Sequence, residues 1–190
     1  MGAIVRSTVM LITLSIFTGL VYPLAMTGVA QIVFPSQANG SIIEKDGQPV
    51  GSALIGQAFT QAGYFNSRPS AGGNDAANSG GTNYGSTSAG LQKQVAEKAI
   101  AVRKANGWSA NTPVPSVLVT NSSSGLDPHL TPEAVYCQVK RIAQLRGLEI
   151  RQVRDLVNEH IEAPDLGVIG EARVNVLRLN LALDALQENK

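Results

Sequence analysis

Charge is scarce in this sequence, and one long stretch has none. Asp, Glu, Lys and Arg make up 15% of 190 residues, and the 37 residues from Ser7 to Ile43 include no member of that set. Cysteine is nearly absent too. Cys137 stands alone, so no internal disulfide can form. Its neighbours Tyr136, Gln138 and Val139 fit a helix, and a buried thiol is expected there. Aromatic residues are 5% of the chain, the net charge is +1, and no basic run occurs. That excludes the electrostatic footprint of a nucleic-acid-binding protein. No G-x-x-x-x-G-K-[ST] is present, and no G-x-G-x-x-G joins a strand to a helix; Gly80-Gly81 lacks a following Lys. An intrinsic ATPase is not expected on that ground. There is no H-E-x-x-H, and a single cysteine cannot build a thiolate metal site. No G-x-S-x-G elbow surrounds Ser122 to Ser124.

The uncharged stretch is the main thing the sequence does have. Its apolar heart, about Val9 to Phe34, exceeds the ~20 residues that cross a bilayer as a helix. Pro23 is tolerable there if the freed backbone groups find other partners. A cleaved signal peptide is the rival reading, with Arg6 as its n-region and small residues near Val29 and Ala30. A signal h-region of ~7–15 residues is much shorter than this run. Arg6 precedes the span, and Glu44, Lys45 and Asp46 follow it with no positive excess. Positive charge stays inside, which predicts a cytoplasmic N-terminus over 1–8, a transmembrane helix over 9–34, a linker over 35–41 and an extracytoplasmic domain over 42–190. Gly19 and Gly28 are candidate sites for close packing of another helix, although they are not spaced as G-x-x-x-G. Otherwise they are glycines that a membrane helix tolerates.

After the anchor the pattern predicts an α+β domain with helices outnumbering strands. Asp46-Gly47 between Ile42-Ile43 and Val50 to Ile55 is a hairpin signal. From Ser70 to Gly90 the chain is rich in Gly, Ser, Asn and Ala. It reads either as a flexible linker or as an ordered loop that uses glycine for close approach. Ser86 or Ser88 opens a helix to about Asn106, with Leu91, Val95, Ala99 and Val102 on one stripe and Gly107 as its stop. Pro115 to Thr120 is expected as a short strand. Thr131-Pro132-Glu133 is a strong helix start, with Val135, Val139, Ile142 and Ala143 inward and Gly147 as the stop. A second helix, about Glu149 to Ile161, is expected to turn Ile150, Val153, Leu156, Val157 and Ile161 inward. Arg173 to Leu177 is expected as a strand, and Asn180 as the cap of a last helix through Leu186.

Candidate chemistry is thin. Asp127-Pro128-His129 with Glu133 is a possible metal or acid–base set. The plainer expectation is that Asp127 and Thr131 cap backbone groups while His129 packs or meets solvent. His160 falls at a helix C-terminus, where positive charge is welcome. Arg173 and Asn175 share one strand face, opposite Val174 and Val176, as a solvated face or a partner contact. A hydrolase built on Ser124, His129 and Asp127 is the rival enzymatic reading, but triad members usually meet through the fold rather than in one loop. A solute-binding module using the Gly/Asn-rich segment is the rival binding reading.

An ordered set of short motifs then carries a resemblance. Gly56-Gln-x-Phe59, Tyr64-Phe-x-x-Arg-Pro-Ser-Ala71, Ser79-Gly-Gly-x-Asn-x-Gly85, Val119-Thr120, Ser124-Gly-Leu-Asp-Pro-His129, Pro132-Glu-Ala134, Gly170-Glu-x-Arg-Val-Asn-Val-Leu177, Leu179-Asn180 and Ala182-Leu-Asp184 occur in this order. Together with the N-terminal anchor they resemble the C subunit of the bacterial high-affinity potassium-transporting ATPase, the Kdp complex. Leu130-Thr131 stands where that family leads one to expect Ile-Ser. The resemblance implies a non-catalytic subunit of the bacterial inner membrane, held among lipid by one helix. Its implied partners are an ion-binding A subunit and an ATP-hydrolysing B subunit. ATP and potassium then act at those partners, and the C subunit supports assembly and raises ATP affinity. Arg68, Asn83, Asp127 and His129 lie in these motifs. With Gly19, Gly28, Arg173 and Asn175 they are the candidate partner contacts.

Overall fold

The uncharged run is helical without a break as far as Val33 in the computed structural model, which describes residues 2–188. Helix α1 covers Ala3–Ile16, a π turn covers Phe17–Val21, and α2 covers Tyr22–Val33. The π turn accommodates Pro23. A proline lacks an N–H, and its ring clashes with the carbonyl four residues back, here that of Gly19. The wider turn passes the Tyr22 N–H to the Phe17 carbonyl instead. The Thr18 hydroxyl donates to the Leu14 carbonyl at 2.7 Å. From Ala3 to Val33 the 31 residues extend about 46 Å at 1.5 Å per residue, more than the ~30 Å hydrocarbon core. None of their side chains is buried, and this helix is long and apolar enough to cross a membrane. A Cβ added at Gly19 or Gly28 meets nothing within 4 Å.

A short helix, α3 (Pro35–Ala38), follows, and Asn39 ties back to Gln31 at 3.1 Å and to the Pro35 carbonyl at 2.7 Å. The expected hairpin forms from β1 (Ile42–Lys45) and β2 (Gln48–Ser52). Asp46 and Gly47 have φ of 55° and 74°, the pair of positive values that a two-residue type I′ turn requires. The chain divides into two compact units at Val50 and Gly51.

The second unit contains α4 (Ala89–Asn106), a 3₁₀ turn (Ser116–Leu118), β3 (His129–Leu130), α5 (Pro132–Arg146), α6 (Ile150–Glu159), β4 (Ile161–Glu162), β5 (Arg173–Asn175) and α7 (Val176–Glu188). Over residues 42–188 four α-helices stand beside five short strands, so helical residues, rather than helices, outnumber those in strands, in the mixed fold expected of an α+β domain. The small sheet is antiparallel with order β3-β5-β4. His129 pairs with Asn175, Leu130 and Ile161 both pair with Val174, and Glu162 pairs with Arg173. Thr131 caps α5 through the Ala134 N–H at 3.4 Å, and Gly107 and Gly147 end α4 and α5 at φ of 65° and 63°. Val135, Val139, Ile142 and Ala143 of α5 meet Val153, Leu156 and Val157 of α6, Leu179 and Leu183 of α7, and Phe65 from the long irregular segment. Burying each large aliphatic or aromatic side chain of this set contributes about 1.5–3 kcal/mol.

Five expectations are corrected. Pro115 to Thr120 is no strand. The Thr120 N–H and hydroxyl both return to the Ser116 carbonyl, at 2.9 and 2.8 Å, closing a local turn that buries Leu118 and Val119. The expected strand over Arg173 to Leu177 stops at Asn175. Asn175 Oδ1 accepts the Arg178 N–H at 3.2 Å, so Asn175 caps α7 and Val176 already begins the helix. Asn180 is therefore not a cap but a buried residue in the middle of α7. Ile150, the first residue of α6, lies a turn beyond the covered surface and is exposed, while a capping box between Glu149 and Gln152 starts that helix. Cys137 is half-buried rather than buried. Burial, aided by the Glu133 charge, raises its thiol pKa, which leaves it a poor nucleophile.

The irregular segment before α4 is held by side chains. Asn180 Oδ1 accepts the Phe65 N–H at 2.9 Å, and its Nδ2 donates to the Phe65 carbonyl at 3.0 Å. Gln138 does the same for Asn66, at 2.9 and 3.2 Å. Arg141 donates to the Tyr64 carbonyl, Asn66 Oδ1, Gln138 Oε1 and Asn106 Oδ1 at 2.9–3.1 Å, and also to the Ala62 carbonyl. Two buried amides and one guanidinium thus do for residues 62–66 what a neighbouring strand does in a sheet.

Candidate partner-contact site

Three loops converge ahead of β3. Residues 56–57, 67–81 and 121–127 come together through backbone contacts too close for most side chains. The Gly56 N–H donates to the Leu126 carbonyl at 2.7 Å. A Cβ there would lie 2.7 Å from the Asp127 carbonyl oxygen. Gly125 has φ of 68°, and a Cβ on it would meet the Gly80 carbonyl oxygen at 2.6 Å. Both positions therefore require glycine. Ser70 donates to the Gly125 carbonyl at 2.6 Å, and the Ser79 hydroxyl and Gly80 N–H both donate to the Ser124 carbonyl. The Gly/Ser/Asn-rich stretch is therefore the ordered loop of the two expected alternatives at these positions.

Arg68, Asp127 and His129 meet at this junction. Arg68 Nη1 lies 2.9 Å from Asp127 Oδ2, and Arg68 Nη2 donates to the Asn121 carbonyl at 3.3 Å. Asp127 Oδ1 accepts the His129 N–H at 2.9 Å and faces His129 Nδ1 at 3.5 Å. Burial acts to raise the Asp127 pKa. The hydrogen bonds from the His129 side chain and backbone, with the hydrogen bond and charge of Arg68, outweigh it and hold the carboxyl at about 2. Asp127 and Thr131 thus cap backbone groups, as the plainer reading of this motif expects. Ser124 Oγ accepts the Leu126 N–H at 3.2 Å in a local turn. Among the described residues it makes no hydrogen bond with His129, so the triad geometry is not assembled.

A cleft of about 260 Å³ is lined by Arg68, Asp127, His129, Thr131, Glu171 and Arg173, among others. Four candidates are therefore neighbours. Arg173 is further bound to Glu162 at 3.0 Å and Asp165 at 3.4 Å. Asn175 is not on a solvated face. It is 3% exposed, with Nδ2 donating to the Ala53 carbonyl at 2.8 Å, so its amide is not displayed to a partner. Asn83, at φ of 52°, lies instead in a groove of about 390 Å³ with Tyr84, Gln94, Asn121 and Ser122. Asn121 Nδ2, Ser122 Oγ and Arg68 Nε are buried without a hydrogen-bond partner among the described residues. Gly19 and Gly28 belong to the first unit. His160 Nδ1 donates to the Leu156 carbonyl at 2.8 Å at the end of α6.

The family model for the c chain of the K+-transporting ATPase matches residues 4–185. The chain belongs to that family. It is similar to proteins named potassium-transporting ATPase KdpC subunit. One from Mycobacterium tuberculosis strain H37Rv is 52% identical over 179 residues, 93% of this chain and 95% of that one. Another, from Polaromonas naphthalenivorans, is 51% identical over 94% of this chain and 92% of its own length. A third, from Myxococcus xanthus, is 52% identical over 89% and 81%.

In this c chain the ion pair at the junction has a measurable consequence. Asp127 is shifted down from 3.8, so its contribution to stability is present above that value and is lost as pH falls towards about 2. Between about pH 5 and pH 2 the domain should lose on the order of 1–2 kcal/mol through this group, a figure reduced for its partial exposure. Asp127→Asn should flatten that part of an acid-denaturation curve followed by circular dichroism. An unchanged acid limb in the variant would show that the pair contributes nothing.

Sequence reading missed the residues that hold 62–66, the segment leading into Arg68: Gln138, Arg141 and Asn180. Their signal was a polar side chain on an otherwise apolar helix face. Gln138 sits between Val135 and Val139, and Asn180 between Leu179 and Leu183. Tyr64, Arg146 and Asp184 form a second clamp. The Arg146 guanidinium lies 4.4 Å over the Tyr64 ring, Tyr64 Oη donates to Asp184 at 3.0 Å, and Arg146 binds Asp184 at 2.8 Å.

Proposed function

We propose that the chain is a non-catalytic accessory subunit of an ATP-driven potassium uptake complex in a bacterial inner membrane. One helix anchors it with the N-terminus in the cytoplasm, and the domain from residue 42 onward stands outside. Its partners are the ion-binding and ATP-hydrolysing subunits, and its role is to support their assembly. Membership of the c-chain family over nearly the whole length carries this reading. The lack of any phosphate-binding signature supports a non-catalytic part in it. An effect on ATP affinity at the hydrolysing subunit, which the family resemblance implies, is then exerted through assembly. A domain outside the membrane does not touch cytoplasmic nucleotide.

Purification of the tagged chain in mild detergent tests this, from cells expressing the whole complex. Two larger membrane proteins should accompany it in fixed ratio. Recovery as a free monomer overturns the reading.

Close packing of the anchor is a second consequence. A helix in lipid gains little from the hydrophobic effect on meeting another, so small residues and tight fit carry the association. Gly28 has open space around it, so Gly28→Leu leaves the chain's own fold intact. It should weaken assembly by about 1–2 kcal/mol, read as a reduced yield of complex in competition with the wild-type chain. An equal yield would place Gly28 away from any helix contact.

A further inference from the structure

The turn between β4 and β5 displays apolar side chains that no part of the domain covers. Leu166 and Val168 are 90% and 83% exposed, the highest values for large apolar residues among the described residues, and Ile169 is 58% exposed. The turn is built to hold them there. The Asp165 N–H donates to the Ile169 carbonyl and the Ile169 N–H to the Asp165 carbonyl, both at 2.9 Å. The Gly167 N–H donates to the Pro164 carbonyl at 2.9 Å. Arg173 fastens the base by binding Asp165 and Glu162. Leu166 and Gly167 have φ of 54° and 78°. A glycine adopts that region freely and an asparagine at low cost, whereas a leucine is strained in it. A strained, fully displayed leucine breaks both the local rule for turns and the general rule for surfaces, a combination that marks function.

The chemistry around the turn identifies its occupant. Residues 159–172 hold Glu159, Glu162, Asp165 and Glu171 and no Lys, Arg, Trp or Tyr. Binding to a bilayer surface draws on basic residues for anionic headgroups and on aromatic residues at the interface. This segment has neither, and its exposed carboxylates Glu159 and Glu171, which Arg173 does not bind, would be repelled there. The same pattern suits a protein surface with an apolar hollow and a basic rim. We infer that the turn Asp165–Ile169 is a docking finger that inserts Leu166 and Val168 into an apolar, cationic-rimmed socket on another subunit of the pump. This rests on the accessory-subunit reading above and adds to it the segment that makes contact.

Leu166→Asn tests it without a folding artefact, because asparagine suits the positive φ. The full-length variant in mild detergent should melt at the wild-type temperature or a few degrees above it. Co-expressed with an equal dose of differently tagged wild-type chain, it should hold a share of the assembled complex about tenfold smaller. That is the scale of losing one buried aliphatic contact. Val168→Ser should show the same deficit. A photo-crosslinking residue placed at Leu166 should join the chain to a larger subunit. Equal shares for both variants, or crosslinks to lipid alone, overturn the finger while the accessory reading stands. A deficit accompanied by a lowered melting temperature also overturns it, in favour of a structural role. If the wild-type chain recovers no larger subunit, the accessory reading fails and the finger fails with it.

Discussion

Arg141→Ala should lower the stability of the second unit by about 3–4 kcal/mol, the largest effect expected of any single substitution considered. The side chain is 6% exposed and serves five acceptors on three segments. Burial lowers its pKa from the ordinary arginine value, but an arginine remains charged in proteins. Its removal leaves the half-buried Tyr64 carbonyl without its donor and takes a donor from the buried Gln138 Oε1, and each buried unpaired polar group costs about 1–3 kcal/mol. A domain with ~5–15 kcal/mol in hand would lose a large part of it. Arg141→Lys should rescue little, because an ammonium cannot present the planar fork that reaches several carbonyls at once. Urea denaturation of the full-length chain in mild detergent, followed by tryptophan fluorescence, measures this. A loss below about 1 kcal/mol in Arg141→Ala would mean that residues 62–66 are held by the Asn180 and Gln138 amides alone.

Removing the anchor should have a larger effect on association than any point change. Residues 37–190 keep the core around Phe65, Ile142, Val157 and Leu183, so they should fold and unfold cooperatively on their own. Their affinity for the other subunits should nevertheless fall by about 10²–10⁴. The helix confines the domain to the membrane plane, and the effective concentration this gives is lost with it. Add-back of the soluble domain to a complex lacking this chain should therefore restore potassium-dependent ATP hydrolysis only at large excess. Full restoration at near-stoichiometric concentration would make the helix a tether for export and nothing more.

Local signals were legible where one residue type fixes a backbone. Asp46-Gly47 gave the hairpin, Thr131-Pro132 the start of α5, and Gly107 and Gly147 two helix ends, because each answers a steric or capping need within a few residues. The misread elements are those where a distant partner decides. PSVLVT has the composition of a strand, but no neighbouring strand pairs with it, and Ser116 and Thr120 close it locally. Asn180 looks like a cap because asparagine in an apolar helix is usually at its end. Its true partner is the backbone of Phe65, 115 residues away, and Asn175 takes the cap instead.

The site was legible as a list of motif residues and not as an arrangement. Arg68 and Asp127 are 59 residues apart, and only the close approach at Gly56 and Gly125 brings their loops together. Asn175 shared a strand face with Arg173 by period alone. The helix it caps and the Ala53 carbonyl it binds put it in the interior. The Leu166 turn reads from sequence only as loop, because an apolar tetrapeptide between Asp165 and Gly170 gives no further signal until its exposure and backbone angles are known.

Potassium-stimulated ATP hydrolysis tests the proposed role most directly. Membranes would be prepared from cells expressing the other subunits with and without this chain, and the purified chain would be assayed alone. Hydrolysis should depend on potassium when the chain is present, be largely lost without it, and be absent from the chain alone. Undiminished potassium-stimulated hydrolysis without the chain, or hydrolysis by the chain itself, would contradict a non-catalytic subunit that supports assembly.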